Sequence, residues 1–225
     1  MDIKLESIDK AEALRYLCFK KDNEIPETIS CLIDECSEEL SKVISPKYIY
    51  QCFPLEFTDS GIKVCGTNLI LKGNDIKNHL EGCEKVILLA VTLSISADRL
   101  IQKYEAGNMT KALITDSLSN SAIEQVCDIA ETEILPKYSD FYSTWRFSAG
   151  YGDFPIEIQN SFLDVLNAQK RIGLCATSSH VLTPKKSVTA VIGLSEKPVS
   201  RKKRGCSVCN LNKTCLFRKN GSHCE

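Results

Sequence analysis

Val86-Ile-Leu-Leu-Ala-Val91 is a run of six apolar residues. Ser94 or Ser96 starts a helix just downstream. Side chains alternate across a strand, so a run that is apolar at every position needs cover on both faces. This stretch is therefore read as a central buried strand. Working outward, Asp75 to Leu80 reads as a short helix. Before it, Tyr48-Ile-Tyr-Gln-Cys-Phe53 and Ile62-Lys-Val-Cys65 read as two strands joined through Asp59-Ser-Gly61. The N-terminus suggests a short strand with Ile3 and Leu5. A helix capped by Ser7 follows, through about Lys20, with Ala11, Leu14, Leu17 and Cys18 on one face. Pro26 suits the first turn of a second helix carrying Ile29, Leu32, Ile33, Cys36 and Leu40. Downstream, Thr110 to Ile134 is the longest helical pattern. Leu118, Ala122, Val126 and Ile129 make its stripe and Pro136 stops it. Pro155 opens a helix with Ile158, Phe162, Val165 and Leu166 facing the core, and Ser187 to Gly193 reads as a last strand. Helices and strands do not alternate regularly, so the class is α+β with a mainly antiparallel sheet flanked by helices.

Bulk composition narrows the function classes. The chain has 225 residues, 43% hydrophobic, 25% charged and of net charge −1. That suits one globular domain with a small appendage, and nothing global points to nucleic acid or membrane. The first residues, Met1-Asp-Ile-Lys-Leu-Glu6, are charged and unlike a signal peptide, and no run approaches the roughly 20 apolar residues of a membrane span. The expected location is cytoplasmic. Of twelve cysteines, eight are scattered and mostly have apolar neighbours, as small buried hydrophobes do in a reducing compartment.

The stretch Arg146-Phe-Ser-Ala-Gly150-Tyr-Gly-Asp153 carries the first chemical signal. Glycines flank Tyr151 and let backbone approach a ligand, and an arginine can grip a carboxylate or phosphate through two parallel hydrogen bonds. Asp153 and Pro155 mark a helix start, whose N–H groups favour an anion. The competing reading is an ordinary tight turn with a surface arginine. There is no Gly-Lys-Ser/Thr phosphate loop.

This pattern resembles the S-adenosylmethionine-binding segment of the activation domain of cobalamin-dependent methionine synthase. Arg146, Ser148, Gly150 and Tyr151 fall in step with it. Gln159, Ile172-Gly-Leu-Cys-Ala-Thr-Ser178 and Pro184-Lys-Lys-Ser187-Val188-Thr189 extend the resemblance, as do Arg15-Tyr-Leu17 and Ala90-Val-Thr-Leu93. Together they span roughly residues 1–195. The resemblance implies a ligand site in which Arg146 meets the carboxylate of S-adenosylmethionine and Glu124 its ammonium. It also implies that backbone at Ser148 and Gly150 reads adenosine edges and that Tyr151 packs on the ligand. On a helical wheel Glu124 lies opposite the apolar stripe, so its plain reading is a solvated glutamate. Two family features have no counterpart: an aspartate-bearing N-terminal motif and a late tyrosine near the ligand.

Residues 196–225 read as a basic linker, with Arg201, Lys202, Lys203 and Arg204, followed by a cysteine-rich tail. Cys206-x2-Cys209-x5-Cys215-x8-Cys224 has the close pair of a zinc or iron–sulfur site, with His223 as a substitute ligand. The alternative is a tail of free thiols. The basic run reads as a solvated linker or as a docking patch for an acidic partner.

The leading functional expectation is a stand-alone activation protein for cobalamin-dependent methionine synthase, the reactivation component of that methyltransferase. It holds S-adenosylmethionine over cobalamin carried by the partner, a methionine synthase or other corrinoid methyltransferase, with a flavoprotein as electron donor. Two other readings stand beside it. One is an iron–sulfur protein passing electrons to a corrinoid protein. The other is an interaction protein with a zinc-stabilised tail.

Overall fold

The computed structural model describes residues 1–17, 19, 25–199 and 214. Its helices are α1 (Lys10–Tyr16), α2 (Glu27–Val43), α3 (Asn74–His79), α4 (Ile95–Glu105), α5 (Met109–Ile134), α6 (Gln159–Leu166) and α7 (Ala168–Ile172). Its strands are β1 (Lys47–Thr58), β2 (Gly61–Val64), β3 (Ile70–Leu71), β4 (Lys85–Thr92), β5 (Tyr142–Ser143), β6 (Cys175–Ala176), β7 (Leu182–Thr183) and β8 (Ser187–Ser195). Six strands form one sheet in the order β3-β2-β1-β4-β8-β5, every pairing antiparallel, and β6 and β7 form a separate hairpin. The α+β class with a mainly antiparallel sheet is what the sequence predicts.

The central strand is β4, the Val86–Val91 run, paired along its whole length with β1 and β8. Its alternate residues feed two cores. Ile87, Leu89 and Val91 pack with α1, α2, α4 and α5, while Val86, Leu88 and Ala90 pack with α3, α6 and α7. Helices therefore cover both faces, which is why this strand needs no polar position. Burying a residue of this size contributes about 1.5–3 kcal/mol.

Several boundaries differ from expectation for local reasons. β1 runs to Thr58, not Phe53, because it changes partner at Pro54: Lys47–Pro54 pair with β4 and Leu55–Thr58 with β2. Ile3 and Leu5 form no strand; the segment makes a single bridge between Asp2 and Lys47, and Ile3 is buried. Asp9, not Ser7, caps α1, its Oδ1 accepting the Glu12 N–H at 3.0 Å. Asn108 caps α5 by accepting from Lys111 N–H, and α5 gives way to a 3-10 turn containing Pro136.

Candidate functional site

The site is built where the chain returns from α5 to the sheet edge. After β5, residues 144–147 continue along β8. Thr144 N–H donates to Gly193 O at 2.9 Å, and Phe147 exchanges two hydrogen bonds with Val191. Three steps here span two on β8, so the strand bulges between Thr144 and Phe147, and Arg146 and Phe147 leave it on opposite faces. Phe147 joins the core under α3 and α6, whereas Arg146 points to α5.

Arg146 is buried, with a side chain only 6% exposed. Three carboxylates on one face of α5 receive it. Its Nη1 donates to Asp128 Oδ1 at 2.8 Å and to Glu131 Oε1 at 2.6 Å. Its Nη2 donates to Glu124 Oε2 at 3.2 Å. The three acids stand at i, i+4 and i+7, the spacing that lines up side chains along a helix. Burial opposes the guanidinium's charge, but the carboxylates of Glu131 and Asp128 outweigh it and raise its pKa further. Arg146 is thus permanently cationic. The neighbouring Cys127 is buried beneath the cluster, and desolvation pushes its thiol pKa well up, so it stays a neutral hydrophobe.

The loop that follows is a tight structure closed by its own backbone. Gly150 N–H donates to Phe154 O at 2.8 Å, Tyr151 N–H to Ser148 O at 3.3 Å, and Phe154 N–H to Tyr151 O at 3.0 Å. Gly150 has φ 91°, a conformation that suits glycine, and the space beside it is open, with Ile156 Cδ1 at 3.9 Å from an added Cβ. Gly152 is the more constrained: φ is 57°, and a Cβ there would stand 1.9 Å from Asp75 Oδ2. Asp153 does not cap the helix after Pro155, as expected, but α3. Its carboxylate accepts from Asn74 N–H at 2.7 Å and Asp75 N–H at 2.9 Å, and Asp75 Oδ2 accepts from Asp153 N–H in return. Those backbone donors hold the Asp153 carboxyl below its ordinary pKa.

Of the sequence-predicted ligand residues, the fold brings Arg146 and Glu124 into direct contact. Glu124 is half exposed, as its helical phase requires, yet it faces a cation and is not merely solvated. Ser148 is half-buried, while Gly150 and Tyr151 are exposed at the loop tip. The Gly150 N–H is already committed to Phe154, so what Gly150 offers a ligand is close approach and not a donor.

Sequence reading did not single out Asp128 or Glu131, and it quoted Tyr16 only within Arg15-Tyr-Leu17. Tyr16 lies near Glu124: burial first, then Glu12 and Glu124, raise its hydroxyl pKa. It also missed an aromatic floor beside the loop. The Phe147 ring lies 5.3 Å from Trp145, 6.2 Å from Tyr151 and 6.0 Å from Phe154, and His79 stacks on it at 4.9 Å. His79 Nε2 is 2.9 Å from Thr144 Oγ1, and that hydroxyl oxygen also accepts the Gly193 N–H.

Cys206, Cys209, Cys215 and Cys224 lie outside the described residues. Among the described residues no group of three or more His, Cys, Asp and Glu could hold a metal ion, and no helix is long and apolar enough to cross a membrane.

An antiparallel sheet between two helical layers, with an arginine buried at its edge and a Gly-Tyr-Gly loop beside it, defines an α+β architecture. The chain has the fold seen in the crystal structure of the MetH reactivation domain bound to AdoHcy, with a TM-score of 0.68. The identity is 14%, over 88% of this chain and 78% of that one. No protein-family model matches the sequence, and no curated protein does.

Proposed function

We propose that this protein binds S-adenosylmethionine at Arg146 and serves as the activation component of a cobalamin-dependent methyltransferase, in the first place methionine synthase. The observation that carries the reading is the contact between Arg146 and Glu124 beside the Gly150–Tyr151 loop. The two side chains offer one cation and one anion to an amino-acid head that has one of each. The fold likeness to a domain whose structure was solved with AdoHcy supports the same ligand class.

In this reading Arg146 takes the ligand carboxylate as a charge-assisted fork. Glu124, whose contact is the longest of the three and which is half exposed, turns to the ammonium. Ser148 and Gly150 supply close-approaching backbone for adenosine, and Tyr151 packs on the ligand from the loop tip. Cobalamin belongs to the partner. S-adenosylmethionine supplies the methyl group, an electron donor such as a flavoprotein reduces the partner's oxidised cobalt, and S-adenosylhomocysteine leaves. This chain supplies positioning, not acid–base or nucleophilic chemistry. The domain over residues 1–195 is followed by the tail from 196 to 225. The spacing of Cys206, Cys209, Cys215 and Cys224 favours a zinc or iron–sulfur site there, which gives the second reading: an electron-transfer or interaction module for a corrinoid methyltransferase.

Calorimetry of the full chain with S-adenosylmethionine tests the ligand. A reactivation assay tests the role: oxidised partner, reductant, S-adenosylmethionine and this protein should together restore activity, and omission of any one should not. Equal recovery without this protein removes the activation reading.

A further inference from the structure

We propose that Asp128 and Glu131 are positioning and specificity-determining residues: they pin Nη1 of Arg146, and their surplus negative charge makes the site prefer sulfonium-bearing S-adenosylmethionine over neutral-sulfur S-adenosylhomocysteine. The inference rests on the ligand reading above.

The geometry divides the three acids into two kinds. Asp128 and Glu131 both accept from Nη1, at 2.8 and 2.6 Å. Two acceptors on one nitrogen fix the guanidinium plane, because each Nη carries two hydrogens in fixed directions. Glu124 alone meets Nη2, at 3.2 Å. When Glu124 turns to an ammonium, the Nη2 side of the fork faces the ligand while Nη1 stays held. Arg146 is then presented in one orientation instead of searching several.

The charges do not balance. Three carboxylates surround one guanidinium, and the surplus remains after Glu124 pairs with the ligand's ammonium and Arg146 with its carboxylate. Among the described residues, Arg146 is the one cation ion-paired to Asp128 and Glu131. Neither is fully buried: Glu131 is 22% exposed and Asp128 70%. S-adenosylmethionine carries one fixed positive charge more than S-adenosylhomocysteine, on the sulfur. A donor-positioning protein needs that difference, since the demethylated product would otherwise hold the site after each turnover. For a unit charge roughly 8 Å from the sulfonium, Coulomb's law gives a factor of about 2 in affinity in water-like surroundings and about 30 near a protein surface.

The test measures dissociation constants for both ligands by calorimetry, on the full chain, at two salt concentrations. Wild type should prefer S-adenosylmethionine. Exposed Asp128→Asn should lower the preference by about 2-fold and less exposed Glu131→Gln by up to about 30-fold, and added salt should shrink it in wild type most. Asp128→Glu, which keeps the charge, should retain it. The affinity ratio is the informative readout, because simple loosening of Arg146 weakens both ligands alike. Exposed Asp128 tolerates substitution without risk to folding, so at least one variant reports. If wild type binds both ligands equally, or if the ratio is unchanged in both neutral variants, the inference is wrong while the ligand reading survives. If wild type binds neither, the ligand reading itself fails and takes the inference with it.

Discussion

Replacing Arg146 by alanine should destabilise the fold even with no ligand present. The guanidinium is buried against three carboxylates, and the size of the loss depends on how well water can replace it at each one. Asp128 is 70% exposed and Glu124 48%, so each behaves as a surface partner and loses about 0.5 kcal/mol or less. Glu131 is only 22% exposed. Breaking a fully buried pair costs about 3–5 kcal/mol, and partial hydration brings Glu131 down to about 1–2 kcal/mol. Release of the guanidinium's own desolvation offsets part of this, while lost packing of its alkyl stem adds to it. The net expectation is about 2 kcal/mol. In a domain of this size that lowers Tm by about 4–8 °C. Urea melts followed by circular dichroism measure it directly. Arg146→Lys should fall between, since an ammonium keeps the charge but cannot serve three acceptors as a planar fork. A loss under about 0.5 kcal/mol for Arg146→Ala would mean that the acids are hydrated anyway. The clamp on Nη1 would then not exist.

Ligand affinity supplies a second expectation: Arg146→Ala should weaken S-adenosylmethionine binding by about 2–3 kcal/mol, read by calorimetry at a temperature where the variant is folded. Gly152→Ala should destabilise more than Gly150→Ala, because both have positive φ but only Gly152 would drive a Cβ into Asp75; thermal melts of the two variants rank them. Asp153 links stability to acid. Its folded pKa is depressed by the Asp75 and Asn74 backbone N–H groups, so its contribution is fully present above the unfolded value of about 3.9 and is lost as pH falls through the folded one. Asp153→Asn should therefore flatten the low-pH limb of a stability–pH curve and leave its slope near neutrality alone. For the tail, Cys209→Ser should lose a bound metal, and a chain ending at Ser195 should bind none; elemental analysis of wild type showing neither zinc nor iron would remove that site.

How much of this was legible depends on how local each signal is. β4 could be read from six residues because cover on both faces leaves no polar position. α5 could be read from its stripe and from Pro136. The two-residue strands β3, β5, β6 and β7 are too short to show any alternation, and they exist only because a neighbour offers hydrogen bonds. The helix expected after Pro155 is broken at Asn167, whose φ of 52° ends α6 and lets α7 begin in a new direction. Asparagine tolerates that conformation, but its presence in a helical pattern does not by itself demand it.

The site divides in the same way, and Glu124 stands on the dividing line. From sequence alone, Arg146 four residues before Gly150 suggested an anion-binding loop, and Glu124 had an equally good reading as a solvated side chain. Asp128 and Glu131 were visible as acids at i+4 and i+7 from Glu124 on α5's polar side, a stripe that most helices simply turn to water. What changes its meaning is β5, which carries almost no signal of its own. By pairing with β8 it carries the chain to Thr144, and a bulge before Phe147, where three steps span the two from Gly193 to Val191, turns Arg146 toward α5 and Phe147 away from it. A polar stripe on a helix and an arginine in a loop thus become one buried cluster through a pairing of two residues. The aromatic floor follows from the same register: Phe147 takes the opposite face and carries Trp145, Tyr151 and Phe154 around it. Without that bulge the β5 register would run on to set Arg146 opposite Val191 and exchange the two, placing an arginine in an apolar core and a phenylalanine among three carboxylates. The cost of that exchange is what holds the register, so the charge cluster and the aromatic floor enforce each other's position.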